Sequence, residues 1–111
     1  MYIYHYTDKN SAKLILNTNI IRQLNSERST FGRGVFFTII APTVKTKIIL
    51  KNNYRNKSSK FKNRAECAFA FKFNELEVKK IDDPIYKNRD IWRFNKDIVL
   101  NNYDFILILR K

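Results

Sequence analysis

The chain has 111 residues, 44% of them hydrophobic, with nine Phe, six Tyr and one Trp, and a formal net charge of +12. That length gives one domain with one modest core, and the apolar and aromatic content excludes a disordered tail. A single Cys and a single His exclude an intrachain disulfide and argue against a metal centre, while the charge points to an anionic partner: nucleic acid, acidic protein, anionic lipid or a phosphate-bearing small molecule.

The opening stretch, MYIYHYTDKN, lacks a basic start followed by an apolar run, so no signal peptide is expected. The longest apolar run, Phe105 to Leu109, is too short to span a bilayer. Met1 to Tyr6 alternates aromatic and aliphatic residues and reads as a first strand. Thr7 and Asp8 are both suited to capping a helix. That helix is expected over Ser11–Leu16, with Ala12, Ile15 and Leu16 on one face. Ile20 to Leu24 reads as a short strand, and residues 25 to 31 as a loop.

Gly32 and Gly34, the only glycines, open the stretch Gly32-Arg33-Gly34-Val35-Phe36-Phe37-Thr38. A chain this sparing of glycine uses it for backbone geometry, here a turn feeding a strand over Val35–Ile40. Ala41-Pro42 would begin a second helix, with Val44, Ile48 and Ile49 as its apolar face. Residues 55 to 63 read as a mobile basic loop. Ala65 to Phe73 is the clearest strand: Cys67, Phe69, Phe71 and Phe73 share one face, and Ala68 and Ala70 on the other leave room for a close neighbour. Short strands are expected at Val78–Ile81, Asp90–Phe94 and Ile98–Leu100. Asp104 to Leu109, apolar on both faces, reads as a final central strand. The tally is α+β, with about two helices, six to eight strands and no Rossmann alternation.

Several residues are candidates for chemistry. His5 is the only imidazole; it either satisfies a backbone carbonyl or offers a hydrogen bond to a ligand at the mouth of a sheet. Residues 28 to 64 contain no acid, and Arg28, Arg33, Lys45, Lys47, Lys51, Arg55, Lys57, Lys60, Lys62 and Arg64 lie among them. Of these, Lys47, Lys51, Arg55, Lys57, Lys60 and Lys62 are the expected contacts to nucleic acid or another anionic acceptor, with Tyr54 and Phe61 interleaved for base stacking. The plain alternative is a solubilising surface. Glu66, Asp90 and Asp97 each border a strand; as ordinary surface carboxylates they would pair with Arg64 or Lys72, or with Arg89 or Arg93.

Taken together, Tyr4-His5-Tyr6-Thr7-Asp8, a helix, Ile20-Ile21-Arg22 and the Gly32–Thr38 stretch resemble the N-terminal half of small ADP-ribosyltransferase toxin-like domains with a His-Tyr-Asp signature, on the diphtheria-toxin and poly(ADP-ribose) polymerase side of that fold. The resemblance implies a split β-sheet core gripping NAD⁺, with 1–111 as one such domain. It implies that His5 holds a ribose hydroxyl, that Phe36 stands where the family has tyrosine, against nicotinamide, and that an acid opening a late strand completes the set. Asp90 is the first choice, ahead of Glu66 and Asp97. Tyr6, Thr7, Gly34 and Phe37 would line the NAD⁺ site, and Arg22 or Arg33 would face its diphosphate. The expected activity is mono-ADP-ribosyl transfer to nucleic acid or protein, or NAD⁺ hydrolysis, by a monomer that is cytoplasmic or delivered into a target cell as an effector. The alternatives are a catalytically degenerate form of the fold serving as a binding module, and a basic α+β domain with an unrelated ligand.

Overall fold

The computed structural model describes residues 1–25 and 31–110. In chain order the elements are β1 (Tyr2–Thr7), α1 (Lys9–Thr18), β2 (Ile20–Ile21), β3 (Val35–Phe37), α2 (Thr46–Tyr54), β4 (Cys67–Lys72), β5 (Lys79–Ile81), β6 (Ile91–Phe94), β7 (Ile98–Val99) and β8 (Phe105–Leu109). Tight 3-10 turns occupy Arg55–Phe61, Phe73–Glu75 and Leu100–Asn102. Of the loop expected over 25–31, residues 26–30, with Arg28, lie outside the described residues, as does the side chain of Lys57.

Local chemistry accounts for α1. Asp8 caps it by accepting from the Ser11 amide at 2.6 Å and the Ser11 hydroxyl at 3.0 Å, a contact worth about 1 kcal/mol. Asn19, at φ 64, closes it in the left-handed conformation and returns its N–H to the Ile15 carbonyl. The buried stripe is Ala12 and Ile15 alone; Leu16, expected on that face, is exposed. The second helix starts later than expected, at Thr46, leaving Pro42 in the preceding turn. Its buried residues are Ile49, Leu50 and Asn52, whereas Ile48 faces solvent.

All the strand pairings are antiparallel. One sheet has the order β1-β4-β8, a second pairs β2 with β7, and a third has the order β3-β6-β5. β4 is the centre of the first, buried on both faces. Cys67, Phe69 and Phe71 join Ile3, Val35, Phe37, Ile21 and α1 in the main core, and Ala68 meets Tyr6, Ile49, Leu50 and Ala65 in a second. The close neighbour anticipated on the alanine face is therefore α2. β8 is an edge and not central: Ile106 and Leu109 are exposed, because only β4 pairs with it. The basic 55–63 stretch is a 3-10 turn and not an open loop. Tyr54 and Phe61 stack on each other across it, with ring centroids 4.4 Å apart and planes 18° apart.

Both glycines are required by Arg93, which pairs with Phe36 across β3 and β6. Its stem lies over Gly34, where a Cβ would sit 2.5 Å from Arg93 Cγ and 2.9 Å from the Phe94 carbonyl oxygen. Its Nη1 donates to the Phe31 carbonyl at 2.8 Å. Gly32 adopts φ +88, open to glycine at little cost. Gly34→Ala is therefore expected to destabilise the chain by about 2 kcal/mol, the cost of overpacking against backbone, and more than an alanine at exposed Arg33. Urea unfolding checks this: equal midpoints for the two variants would remove the packing explanation.

Candidate functional site

The site forms where β1 and β3 part. Tyr4 and Thr38 exchange both main-chain hydrogen bonds, Tyr4 N–H to Thr38 at 2.8 Å and Thr38 N–H to Tyr4 at 3.0 Å. The next pair in this register would be Tyr6 with Phe36, and among the described residues it is not made. His5 spans the opening instead, its Nδ1 lying 2.9 Å from the Phe36 carbonyl oxygen. A carbonyl only accepts, so Nδ1 carries the proton and Nε2 of the neutral ring is left as an acceptor. Alternation along an antiparallel strand turns the Tyr6 N–H and C=O to the same side as those of Tyr4, into the opening.

The side chains around this break are fixed from several directions. His5 is half-buried and sits edge-on to Phe37, with ring centroids 5.7 Å apart. Burial holds its pKa below the ordinary histidine value, and the bond to Phe36 offsets this only in part. The Tyr6 hydroxyl donates to the Ile40 carbonyl at 2.6 Å, and burial pushes its pKa up. Thr7 is buried at the end of β1. Phe37 points into the main core against Phe71, whereas half-buried Phe36 faces the other way and meets Phe31 at 6.4 Å. His5 and Phe36 thus meet through the Phe36 carbonyl, the Tyr6 main chain faces the same opening, and Gly34 lies two residues back along β3. Arg22 and Arg33 are exposed and held by no hydrogen bond among the described residues.

The three candidate acids are scattered. Asp90 lies against the end of β3: it accepts from the Thr38 hydroxyl at 2.8 Å, the Ile39 amide at 2.6 Å and the Trp92 indole at 3.1 Å. Buried Asn52 braces its main chain from α2, accepting from the Asp90 amide and donating to its carbonyl. Glu66 accepts from the Lys9 amide at the start of α1, and Asp97 from the Gln23 amide. None hydrogen-bonds His5. Neither are they paired as surface carboxylates would be: Arg64 goes to Asp8, Arg89 to Asp83 and Arg93 to Phe31. Asp104, expected as the first residue of the final strand, lies directly before β8. It is exposed in a hollow of about 400 Å³ with Glu75, Asn101, Asn102 and Tyr103. A second hollow, of about 500 Å³, lies between Pro42–Thr46 and Ile108–Arg110. Neither touches His5 or Phe36.

A fourth carboxylate, Asp83, directly before Pro84, is set deeper than the three candidate acids. Its side chain is fully buried, 2.7 Å from Arg55 Nε and 2.8 Å from Arg89 Nη1, and it accepts from the Ile85 and Tyr86 amides. Burial alone would raise its pKa; Arg89, the two amides and Arg55 together hold it well below the usual carboxylate range. Lys47, Lys51, Lys60 and Lys62 are exposed, but Arg55 is turned inward to Asp83. Because Tyr54 and Phe61 cover each other, the expected base-stacking platform is closed.

A family model described as HYD1 signature containing ADP-ribosyltransferase matches residues 3–102. No curated protein and no solved structure matches the chain.

Two predictions follow from the hydrogen bonding. Because His5 binds its proton less readily folded than unfolded, the unfolded chain holds more protons below about pH 6.5, and stability should fall as pH drops through that value. With one histidine in the chain, His5→Gln should flatten this slope in urea unfolding between about pH 7.5 and 5.5; an unchanged slope would contradict an imidazole that the fold holds neutral. Asp90→Ala should cost about 3 kcal/mol, since it strands the Thr38, Ile39 and Trp92 donors, while Asp97→Ala, which leaves one exposed amide to water, should cost under about 1 kcal/mol.

Proposed function

Because the chain belongs to the HYD1-signature ADP-ribosyltransferase family, we propose that it cleaves the nicotinamide–ribose bond of NAD⁺ and passes ADP-ribose to a macromolecular acceptor or to water. The observation that carries this reading is the broken β1–β3 ladder with His5 fixed across it. An Nε2 acceptor suits a ribose hydroxyl, which must donate. The Tyr6 N–H and C=O face the same opening and match a carboxamide, which accepts at its oxygen and donates from its nitrogen. The flat face of Phe36 supports a nicotinamide ring without supplying a hydroxyl.

Bond cleavage builds positive charge on the sugar, as in glycoside hydrolysis. Asp90 is the named acid that hydrogen-bonds the end of β3, two residues beyond Phe36. We assign it two effects: fixing Thr38, and so the pitch of β3, and contributing a fixed negative charge that favours the cationic sugar. The exposed lysines of α2 and the following turn suit recruitment of an anionic acceptor, for which counterion release is the driving force.

Incubation with NAD⁺ labelled in its nicotinamide ring is expected to release label, and with NAD⁺ labelled in adenine to mark an acceptor where one is present. His5→Ala should lower the rate by about a hundredfold or more in protein that a melting curve shows to be folded. Phe36→Tyr should retain activity. Folded wild-type chain that neither binds NAD⁺ nor releases nicotinamide would leave the degenerate, binding-only form of the fold as the correct reading.

A further inference from the structure

Arg55 stands apart from the other arginines among the described residues. Its backbone has φ 57 and ψ −133, a region that costs a non-glycine residue strain energy. Its Nε donates to buried Asp83, and its guanidinium lies 5.5 Å from the ring centre of Phe31 and 5.2 Å from that of Tyr86. Its two Nη atoms donate to nothing among the described residues, and the side chain remains 22% exposed. Arg89, its partner on Asp83, makes the contrast clear. All three of its nitrogens are engaged, by Asp83, the Asn52 carbonyl and the Asn53 carbonyl, and it is 8% exposed. Arg89 is a brace; Arg55 is oriented on one edge and open on the other.

The open edge is placed beside the proposed crevice. Phe31, under the Arg55 guanidinium, is the ring that meets Phe36, and Arg93 and Arg89 hold Phe31 in turn, one at its carbonyl and one at its ring. One aromatic ring therefore separates Phe36 from a guanidinium fork that is already aligned. Two arginines against one aspartate leave this cluster with a net positive charge. We propose that Arg55 is the residue that binds the diphosphate of the dinucleotide, its two Nη atoms taking phosphate oxygens while Asp83 holds Nε. This rests on the NAD⁺ reading above and replaces Arg22 and Arg33 in the diphosphate role. It also moves Arg55 from the acceptor-facing lysines to the substrate side. A planar fork bonded bidentately to phosphate is stronger than a single ammonium contact, and pre-orientation by Asp83 and two rings lowers the entropy lost on binding.

Calorimetric titration with ADP-ribose, nicotinamide and inorganic pyrophosphate tests this. Arg55→Lys, which keeps the charge beside Asp83 but loses the fork, should weaken ADP-ribose about tenfold and leave nicotinamide unchanged; Arg55→Gln should weaken ADP-ribose further. Thermal melts of both variants identify the folded ones, and the lysine variant carries the test if the glutamine variant does not fold. ADP-ribose affinity equal to wild type in folded Arg55→Lys would overturn the assignment while leaving the NAD⁺ reading intact. Pyrophosphate binding as tightly as ADP-ribose, and equally dependent on Arg55, would mark a free-phosphate site and overturn it too. Failure of the wild-type chain to bind either ADP-ribose or nicotinamide would overturn the NAD⁺ reading and this inference together.

Discussion

One hydrogen bond, from His5 Nδ1 to the Phe36 carbonyl, reconciles a sheet with an opening in it. Buried main-chain groups need partners, and two strands that separate in mid-ladder leave a row without them. Here the separation follows one complete pair, Tyr4 with Thr38. The Phe36 carbonyl then takes a side-chain donor in place of the Tyr6 amide. That substitution satisfies one strand and frees the other. Tyr6 keeps its amide and carbonyl turned to the gap, and the imidazole is locked in the tautomer that leaves Nε2 as an acceptor. A histidine conserves this arrangement where an isoleucine of similar size would strand the carbonyl.

The break is held open by anchors on both sides of it. Below, Asn52 ties α2 to Asp90, and Asp90 ties Thr38 and Ile39, so β3 cannot slide along β1. Above, Leu24 and Gly34 exchange two main-chain bonds and Arg93 crosses both glycines to reach Phe31. Between these anchors only Phe36 and its neighbours face the gap. The ordering entropy of these strands is therefore met by the folding of the sheet itself.

Much of this was legible in the residues. The first strand, the Cys67–Phe73 alternation and the glycine turn were set by local patterns, and β-branched and aromatic runs marked their positions. Of the two readings of His5, the bond to the Phe36 carbonyl meets the first, and it uses one ring nitrogen only. What pattern could not supply was pairing across distance. Arg93 and Arg89 looked like partners for Asp90 because they were close in sequence, yet one reaches back to Phe31 and the other to Asp83. Asp83 was not singled out, because no local signal marks a carboxylate that will be buried under two guanidiniums. β8 looked central because both its faces are apolar, but whether a strand has one neighbour or two is decided by chain topology. The helix faces were each misjudged by one position, Leu16 in α1 and Ile48 in α2, because short helices bury a stripe narrower than periodicity alone allows.

The closed Tyr54–Phe61 stack leaves the basic face without an open pair of rings. With the rings covering each other, the exposed Lys47, Lys51, Lys60 and Lys62 act as solvated point charges without an aromatic surface between them. Such a face attracts polyanions through counterion release and is weakened steeply by salt, but it reads neither base nor sequence. The guanidiniums, which are able to read geometry, have been withdrawn from it: Arg55 to Asp83, Arg64 to Asp8 and Arg110 to the carbonyls of Pro42, Val44 and Ala65. Around α2 and the turn that follows it, directional donors are turned to the joints of the fold and undirected charge lies outside. Under the proposed reading, selectivity falls to the groups between β1 and β3, and the basic surface serves only to bring an anionic partner to them.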